Sequence, residues 1–277
     1  MPIEVLIKQH LNQKITHKQS IGTGIFIAYK VKLDNHKTVF IKYQSNPNQQ
    51  LIQQGKELQL LGKTITTPKV LGCCEHCLIL EWINESFNPN LQSQAGIALA
   101  HLHQNTHDYF GFEMDNKIGQ TDQFNATGGN ITNWSEFYWK YRLLYQIELA
   151  FKNNLLNYDN YQQLLNIETK LLHLLDKSIK PALLHGDLWS GNLISGKNTP
   201  YFIDSASYYG HCEIDLALTF MFGGFSDDFY HAYHKINPSS AGFNHRKPLY
   251  MLYHYLNHLN MFGSEYHQNV MSCYHAL

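Results

Sequence analysis

The sequence predicts an α+β protein of two lobes: a small N-terminal antiparallel β-sheet lobe with one helix, then a large, mainly helical C-terminal lobe. Three observations predict it. Strand-like segments crowd the first 80 or so residues, helical periodicity dominates from about Ser93, and the composition changes between them at a hinge near residues 81–85. The expected units are residues 1–83 and 84–277, and ligand sites favour clefts between such units.

Ser20 to Lys32 carries a glycine turn, then β-branched and aromatic residues suited to a strand. Asp34-Asn35-His36 reads as a hairpin turn and Thr38 to Tyr43 as the next strand. Gln50 to Leu61 places apolar residues at Leu51, Ile52, Leu58, Leu60 and Leu61, which predicts a helix. Pro68 leads into a short strand, and Leu78 to Trp82 is another. Helices are expected over Gln94–Asn105, Trp134–Asn153 and Tyr158–Lys177, with a loop over Thr121–Thr132. Pro181 to Ser207 breaks the helical rhythm with short strands at Ala182–Leu184, Leu193–Ser195 and Tyr201–Ile203. Helices resume at Glu213.

Composition excludes several classes. With 21 basic and 22 acidic residues in 277, the chain has no net field to draw it to nucleic acid or an anionic membrane, and neither partner is expected. No apolar run reaches the roughly 18 residues of a membrane span. Met1-Pro2-Ile3-Glu4 does not open a secretory leader. Five cysteines, an odd number with three at Cys73, Cys74 and Cys77, do not form a disulfide framework; a reducing cytoplasm is expected. Histidine is in excess, 17 against two arginines, Arg142 and Arg246, which raises a metal-binding reading to be tested.

The strongest chemical signal is His185-Gly186-Asp187-Leu188-Trp189-Ser190-Gly191-Asn192, followed by Asp204 after a hairpin. A carboxylate, a carboxamide five positions on and a second carboxylate at a strand end suit phosphoryl transfer from a nucleotide. Asp187 can accept or orient the proton of an attacking hydroxyl, and Asn192 and Asp204 are hard oxygen ligands for Mg²⁺. The bland alternative makes Asp187 a turn cap and Asn192 a left-handed turn residue. Lys42, on the strand Val39-Phe40-Ile41-Lys42, can reach ATP phosphates and pair with an acid of the next helix, or simply be solvated. Gly22 and Gly24 would let a backbone turn approach phosphate, or make an ordinary hairpin.

These residues resemble the fructosamine-3-kinase (ketosamine-3-kinase) family of the protein-kinase-like, aminoglycoside-phosphotransferase superfamily. Besides Trp189-Ser190 in the loop above, Ser207-Tyr208-Tyr209-Gly210-His211, Glu213 and Asp215-Leu216-Ala217 resemble the family's "YYGHRExDLA". Gly111-Phe112, Asp115-Asn116 and Ile118-Gly119 resemble its "GFxxDNxIG". Trp134, Phe137, Arg142-Leu143 and Gln146 resemble the helix that follows. The resemblance implies a bilobal kinase-like fold, with an ATP-clamping first lobe. It also implies Mg²⁺-assisted, ATP-dependent phosphorylation of a sugar hydroxyl on a free or protein-linked ketoamine, a step in protein deglycation. On that carry-over Asp187 is the catalytic base, and the backbone of Glu81, Trp82 and Ile83 meets adenine. Asp215 anchors the catalytic loop. His185, His211 and Glu213 belong to motifs around the site, and Trp189 offers a face to sugar or amine, or packs in the core.

The chain departs from the family at named positions. Ile25 stands where the glycine loop has cysteine or serine, Ser205 replaces a proline, and Cys212 replaces the arginine of "GHRE". Gln54 stands where an acid would pair with Lys42, and Glu57, one turn on, could stand in. The competing functions are a same-fold kinase for another hydroxylated amine (choline, thiamine, an aminoglycoside) and a nucleotide-binding pseudokinase. Cys74-x-x-Cys77 has a metal-ligand spacing without a second pair, and reads as a hairpin turn with buried thiols. His254 and His258 share a helical face without an intervening metalloprotease Glu and read as packed or solvated.

Overall fold

The computed structural model describes residues 1–175 and 178–277. Its N-terminal part is one antiparallel sheet between two helices. Helix α1 (Ile3–Leu11) precedes β1 (Ile15–Thr23), β2 (Ile27–Leu33) and β3 (Thr38–Tyr43); α2 (Gln50–Leu61) leads to β4 (Val70–Cys74) and β5 (Cys77–Glu81). The strand order is β1-β2-β3-β5-β4.

Strand alternation decides what each face holds. Val39 and Ile41 of β3, with Cys77 and Ile79 of β5, pack on Ile3, Leu6 and Ile7 of α1. The intervening residues Leu78 and Leu80 pack on Leu51 and Leu58 of α2, with Phe40 alongside. Lys42, in phase with Phe40, therefore emerges on the α2 side.

The remainder is mainly helical. Helix α3 (Leu91–His103) packs against α9 (Asp227–His234), and their cluster includes Leu61 from the end of α2. A second core gathers α4 (Trp134–Tyr138), α5 (Leu144–Lys152), α10 (Phe243–Phe262) and α11 (His267–His275). Between α4 and α5 the helix continues through a widened π turn, Trp139–Leu143. The expected single helix over Tyr158–Lys177 is two, α6 (Tyr158–Leu165) and α7 (Ile167–Leu174), divided at Asn166; its last two positions lie outside the described residues. The start of the expected loop at Thr121 is instead a strand: β6 (Asn116–Ile118) pairs with β7 (Thr121–Gln123).

The β interruption forms two small hairpin-like pairings. Strand β8 (Ala182–Leu183) pairs with β11 (Tyr209–Gly210), and β9 (Leu193–Gly196) with β10 (Thr199–Phe202). Helix α8 (Glu213–Thr219) follows. This arrangement presents the loops 184–192 and 203–208 to the α2 face of the sheet.

Candidate active site

The loop after β8 is tied down at its start. Asp215 of α8 is fully buried; its two carboxylate oxygens accept the amides of His185 (2.7 Å) and Gly186 (2.9 Å), and His103 Nε2 lies 3.1 Å from Oδ2. Burial alone would raise the Asp215 pKa, but the bond and charge of His103 and the loop amides hold it below the usual carboxylate range. His103 is fixed in turn by the Tyr233 hydroxyl at 2.7 Å. Gly186 has φ +83°, and a Cβ there would fall 1.9 Å from the Ala206 carbonyl oxygen, so only glycine lets the loops pass.

Beyond Gly186 the loop displays Asp187, half-buried. Asn192, in the 3₁₀ turn Ser190–Asn192, donates Nδ2 to the Asp187 carbonyl (2.7 Å) and carboxylate (3.2 Å). Its Oδ1 is left as a donor atom for a cation. Burial, then the charge of Asp204, push the Asp187 carboxyl up to about 7, against the stabilising bond from Asn192.

Asp204 sits just past β10 with φ +54°, a left-handed conformation that Asp tolerates better than most side chains. The amide of its neighbour Ile203 donates to the Asn192 carbonyl (3.1 Å), joining the two loops. Lys42 Nζ donates to Asp204 Oδ1 at 2.6 Å and to Gln54 Oε1 at 3.1 Å, and Lys42 is only 8 % exposed. The structure thus brings Lys42, Gln54, Asp187, Asn192 and Asp204 into one constellation.

Glu57 corrects an expectation. Among the described residues it makes no ion pair with Lys42. Its Oε1 accepts from Asn116 Nδ2 (2.7 Å), and Oε2 from the Ser205 hydroxyl (3.1 Å) and the Ser207 amide (3.2 Å). One helical turn beyond Gln54, it points at the segment after Asp204 rather than at the lysine. Burial pushes its carboxyl up to about 7.

A cleft of about 220 Å³ opens beside this constellation, lined by Ile21, Phe40, Leu80, Glu81, Ile83 and Asp204 among others. Trp82 also lines it, with Lys30 Nζ 4.2 Å from its ring centre. The Glu81 carboxylate accepts the Lys69 amide (2.9 Å) and the Glu81 amide donates to the Lys69 carbonyl (3.0 Å), so both are engaged at the end of β5. Gly22 closes β1 at this edge; Gly24 turns toward β2, its amide bonded to the Phe26 carbonyl. A larger cleft, about 490 Å³, lies by Lys56, His107 and Tyr209 and contains none of the constellation.

Trp189 is 38 % exposed, edge-on to Phe222 at 6.3 Å, which excludes the core-packing alternative. His211 is turned inward: Nδ1 contacts the Tyr250 hydroxyl at 2.6 Å, and burial lowers its pKa to about 4. Glu213 takes a bidentate guanidinium from Arg246, both bonds 2.7 Å. Both belong to the support behind the loop. His254 is buried with neither ring nitrogen bonded among the described residues, while His258 Nδ1 meets the His254 carbonyl at 2.8 Å and its ring stacks on Phe222. The residues that spacing alone missed are His103, Arg246 and the buried amides Gln123 and Asn125, which join Asn116 beneath Glu57.

A family model for fructosamine kinase matches residues 1–277. The chain belongs to the fructosamine kinase family. It is 42 % identical over 199 residues to a chloroplastic protein-ribulosamine 3-kinase of Arabidopsis thaliana, an alignment covering 70 % of this chain and 60 % of that protein. It is 31 % identical over 300 residues to the ketosamine-3-kinase of Mus musculus, covering 95 % and 96 %. The crystal structure of a candidate fructosamine-3-kinase from Thermobifida fusca superposes with a TM-score of 0.90 at 26 % identity, covering 99 % of this chain and 97 % of that one. Aminoglycoside phosphotransferases share the protein-kinase-like fold at 14 % identity, a likeness of fold alone.

Within the fructosamine kinase family, two departures have local explanations. Ser205, where the resemblance led us to expect proline, gives Glu57 a hydroxyl that proline lacks. Cys212 stands just before α8, and the guanidinium that meets Glu213 comes from Arg246 of α10. Ile25 is exposed at the turn after β1. Among the described residues no helix is long and apolar enough to cross a membrane.

Proposed function

We propose that the protein transfers the γ-phosphoryl group of ATP to a sugar hydroxyl of a ketosamine, of the fructosamine or ribulosamine type, in the service of deglycation. The observation that carries this reading is the meeting of Lys42, Asp204, Asn192 and Asp187 beside the cleft under the β5 exit. Family membership supports the acceptor class.

In this reading residues 1–83 clamp the nucleotide and 84–277 carry catalysis and the acceptor. Adenine enters the cleft against the backbone of Glu81, Trp82 and Ile83. Lys42 neutralises phosphate charge, Gln54 steadies its ammonium, and Gly22 and Gly24 let the turn approach the phosphates. Asp187 accepts the hydroxyl proton as the sugar oxygen bonds to the γ-phosphorus and the bond to ADP breaks. Its raised pKa suits a base working near neutrality. Trp189 gives the sugar or amine a flat apolar face.

The donor set fits magnesium. Asn192 Oδ1 and the half-exposed Asp204 carboxylate are hard oxygens, and Asp187, raised first by burial and then by the charge of Asp204, adds a second carboxylate close by. Bound there, Mg²⁺ would neutralise charge developing on the phosphates. Gln54 motivates a pseudokinase reading, but Lys42 keeps a carboxylate partner in Asp204, which supports an active kinase.

The test is ADP release across a panel of ketosamines and free aminoalcohols. Turnover of ketosamines is expected. Turnover confined to choline, thiamine or aminoglycosides would move the assignment to another acceptor, and nucleotide binding without any turnover would establish the pseudokinase.

A further inference from the structure

His10, Cys74 and Cys77 come together on the α1 face of the sheet, opposite the α2 face on which Lys42 emerges. Their ligating atoms all lie within 4.8 Å of one another, and the two sulfurs are 3.6 Å apart. We propose that these three side chains form a binding site for a borderline-to-soft divalent cation, with Zn²⁺ the best match, leaving one coordination position open to solvent.

The geometry suits the ion. Tetrahedral zinc with Zn–S bonds of about 2.3 Å holds two thiolates about 3.8 Å apart, close to the spacing already present. The tight turn between β4 and β5 makes that spacing, because Cys74 and Cys77 are cross-strand partners flanking Glu75 and His76. Drawing the imidazole onto the ion takes a shift of about 1 Å.

The third ligand is what the sequence hides. His10 lies three residues beyond Ile7 and four beyond Leu6, on the stripe of α1 that packs against the sheet. A hydrophobic residue would ordinarily continue that stripe. Among the described residues the His10 ring makes no hydrogen bond, and the Cys74 thiol pairs only with Cys77. The backbone makes room for the ring: a Cβ on Gly72 would fall 2.8 Å from the His10 Cβ and Cγ and 2.9 Å from Nδ1. A register shift between Val70 and Gly72 bends β4 at this point. Glu75 is tied to Gln49, and the His76 ring meets the Gln44 carbonyl, so neither offers the fourth ligand.

Two thiolates and an imidazole select Zn²⁺ over Mg²⁺ or Ca²⁺. Zinc binds thiolate rather than thiol, so Cys74 and the buried Cys77 each release a proton as the ion binds. The ion fastens α1 to the β4–β5 turn and stiffens the sheet that carries Lys42. It takes no part in phosphoryl transfer.

The test uses the full chain, reduced and stripped of metal, titrated with Co²⁺ and then Zn²⁺. One equivalent of Co²⁺ should give a thiolate-to-cobalt charge-transfer band and intense tetrahedral d–d bands, lost on adding Zn²⁺, and Zn²⁺ should raise the thermal midpoint. Cys74→Ser and His10→Asn should each weaken Zn²⁺ by about a hundredfold or more, while Cys273→Ser on α11 should not. Cys74 and His10 are only half-buried, so both variants should fold; circular dichroism checks this, and the wild-type cobalt spectrum decides the ligand type by itself. Cobalt binding without a thiolate band would overturn the proposal. So would wild-type affinity in both variants, or a Cys74–Cys77 disulfide whose reduction leaves a protein that binds no zinc.

Discussion

Lys42 Nζ and Asp204 Oδ1 stand 2.6 Å apart, a bond that joins β3 to the segment beyond β10. Where a kinase-like strand lysine would meet a helix acid, Gln54 Oε1 accepts one hydrogen bond from it and Asp204 carries the charge. The lysine is thereby held over the site before any nucleotide arrives.

Lys42→Met should lower kcat/KM by about a hundredfold or more, because the variant leaves phosphate and Asp204 without their cation. Initial-rate kinetics with circular dichroism as a folding control measures this. A well-folded variant with unchanged kcat/KM would remove Lys42 from the mechanism.

Asp187→Asn should reduce kcat by roughly 10²- to 10⁴-fold while the KM for ATP changes little. The same carboxyl sets a pH dependence. As the proposed base Asp187 must be ionised, and burial together with the charge of Asp204 raises its pKa to about 7. Acceptor kcat/KM should therefore fall as pH drops through the neutral range. A profile flat down to the ordinary carboxylate range would show that Asp187 is not the titrating base.

Trp189→Ala should raise the KM for the ketosamine by about tenfold and leave the KM for ATP in place, since the ring lies at the surface of the loop that carries Asp187 and away from the cleft. Equal effects on both substrates would mean that the ring supports the loop instead.

Glu57 links pH to stability. Its pKa is raised from near 4.5 to about 7, so the folded state holds a proton that the unfolded chain releases earlier. Its contribution is full below about 4.5 and is lost as pH rises through about 7. Glu57→Gln should abolish that part of the slope when urea unfolding is compared at about pH 5 and about pH 8. An identical slope in wild type and variant would contradict the assignment.

Arg246→Ala should destabilise the fold by roughly 3 kcal/mol, because it strands the buried Glu213 carboxylate. Arg246→Lys should recover part of the loss. Urea unfolding at neutral pH measures both, and a loss under about 0.5 kcal/mol would mean that Glu213 finds another partner.

The sequence was most legible where one face of an element is buried. Thr38–Tyr43 and Gln50–Leu61 are read to the residue because sheet alternation and helix periodicity both point at the core. The nine residues of α1 escaped because their apolar stripe is short and ends in His10. The helix predicted from Tyr158 breaks at Asn166, where apolar periodicity on either side gives no warning. At the site, Asp187, Asn192 and Asp204 were readable from spacing because one loop and one hairpin set their positions. Lys42's second partner, the His103–Asp215 pair and the Arg246–Glu213 pair were not. Each joins residues brought together only by tertiary packing, separated by 162, 112 and 33 positions.

The most direct test of the central claim is phosphorus NMR of a synthetic ribulosamine or fructosamine incubated with the protein, ATP and Mg²⁺. A new sugar phosphomonoester resonance, formed in step with ADP and absent with Asp187→Asn, is the predicted result. ATP left intact beside an unmodified ketosamine, with the folded protein at catalytic concentration, would contradict it.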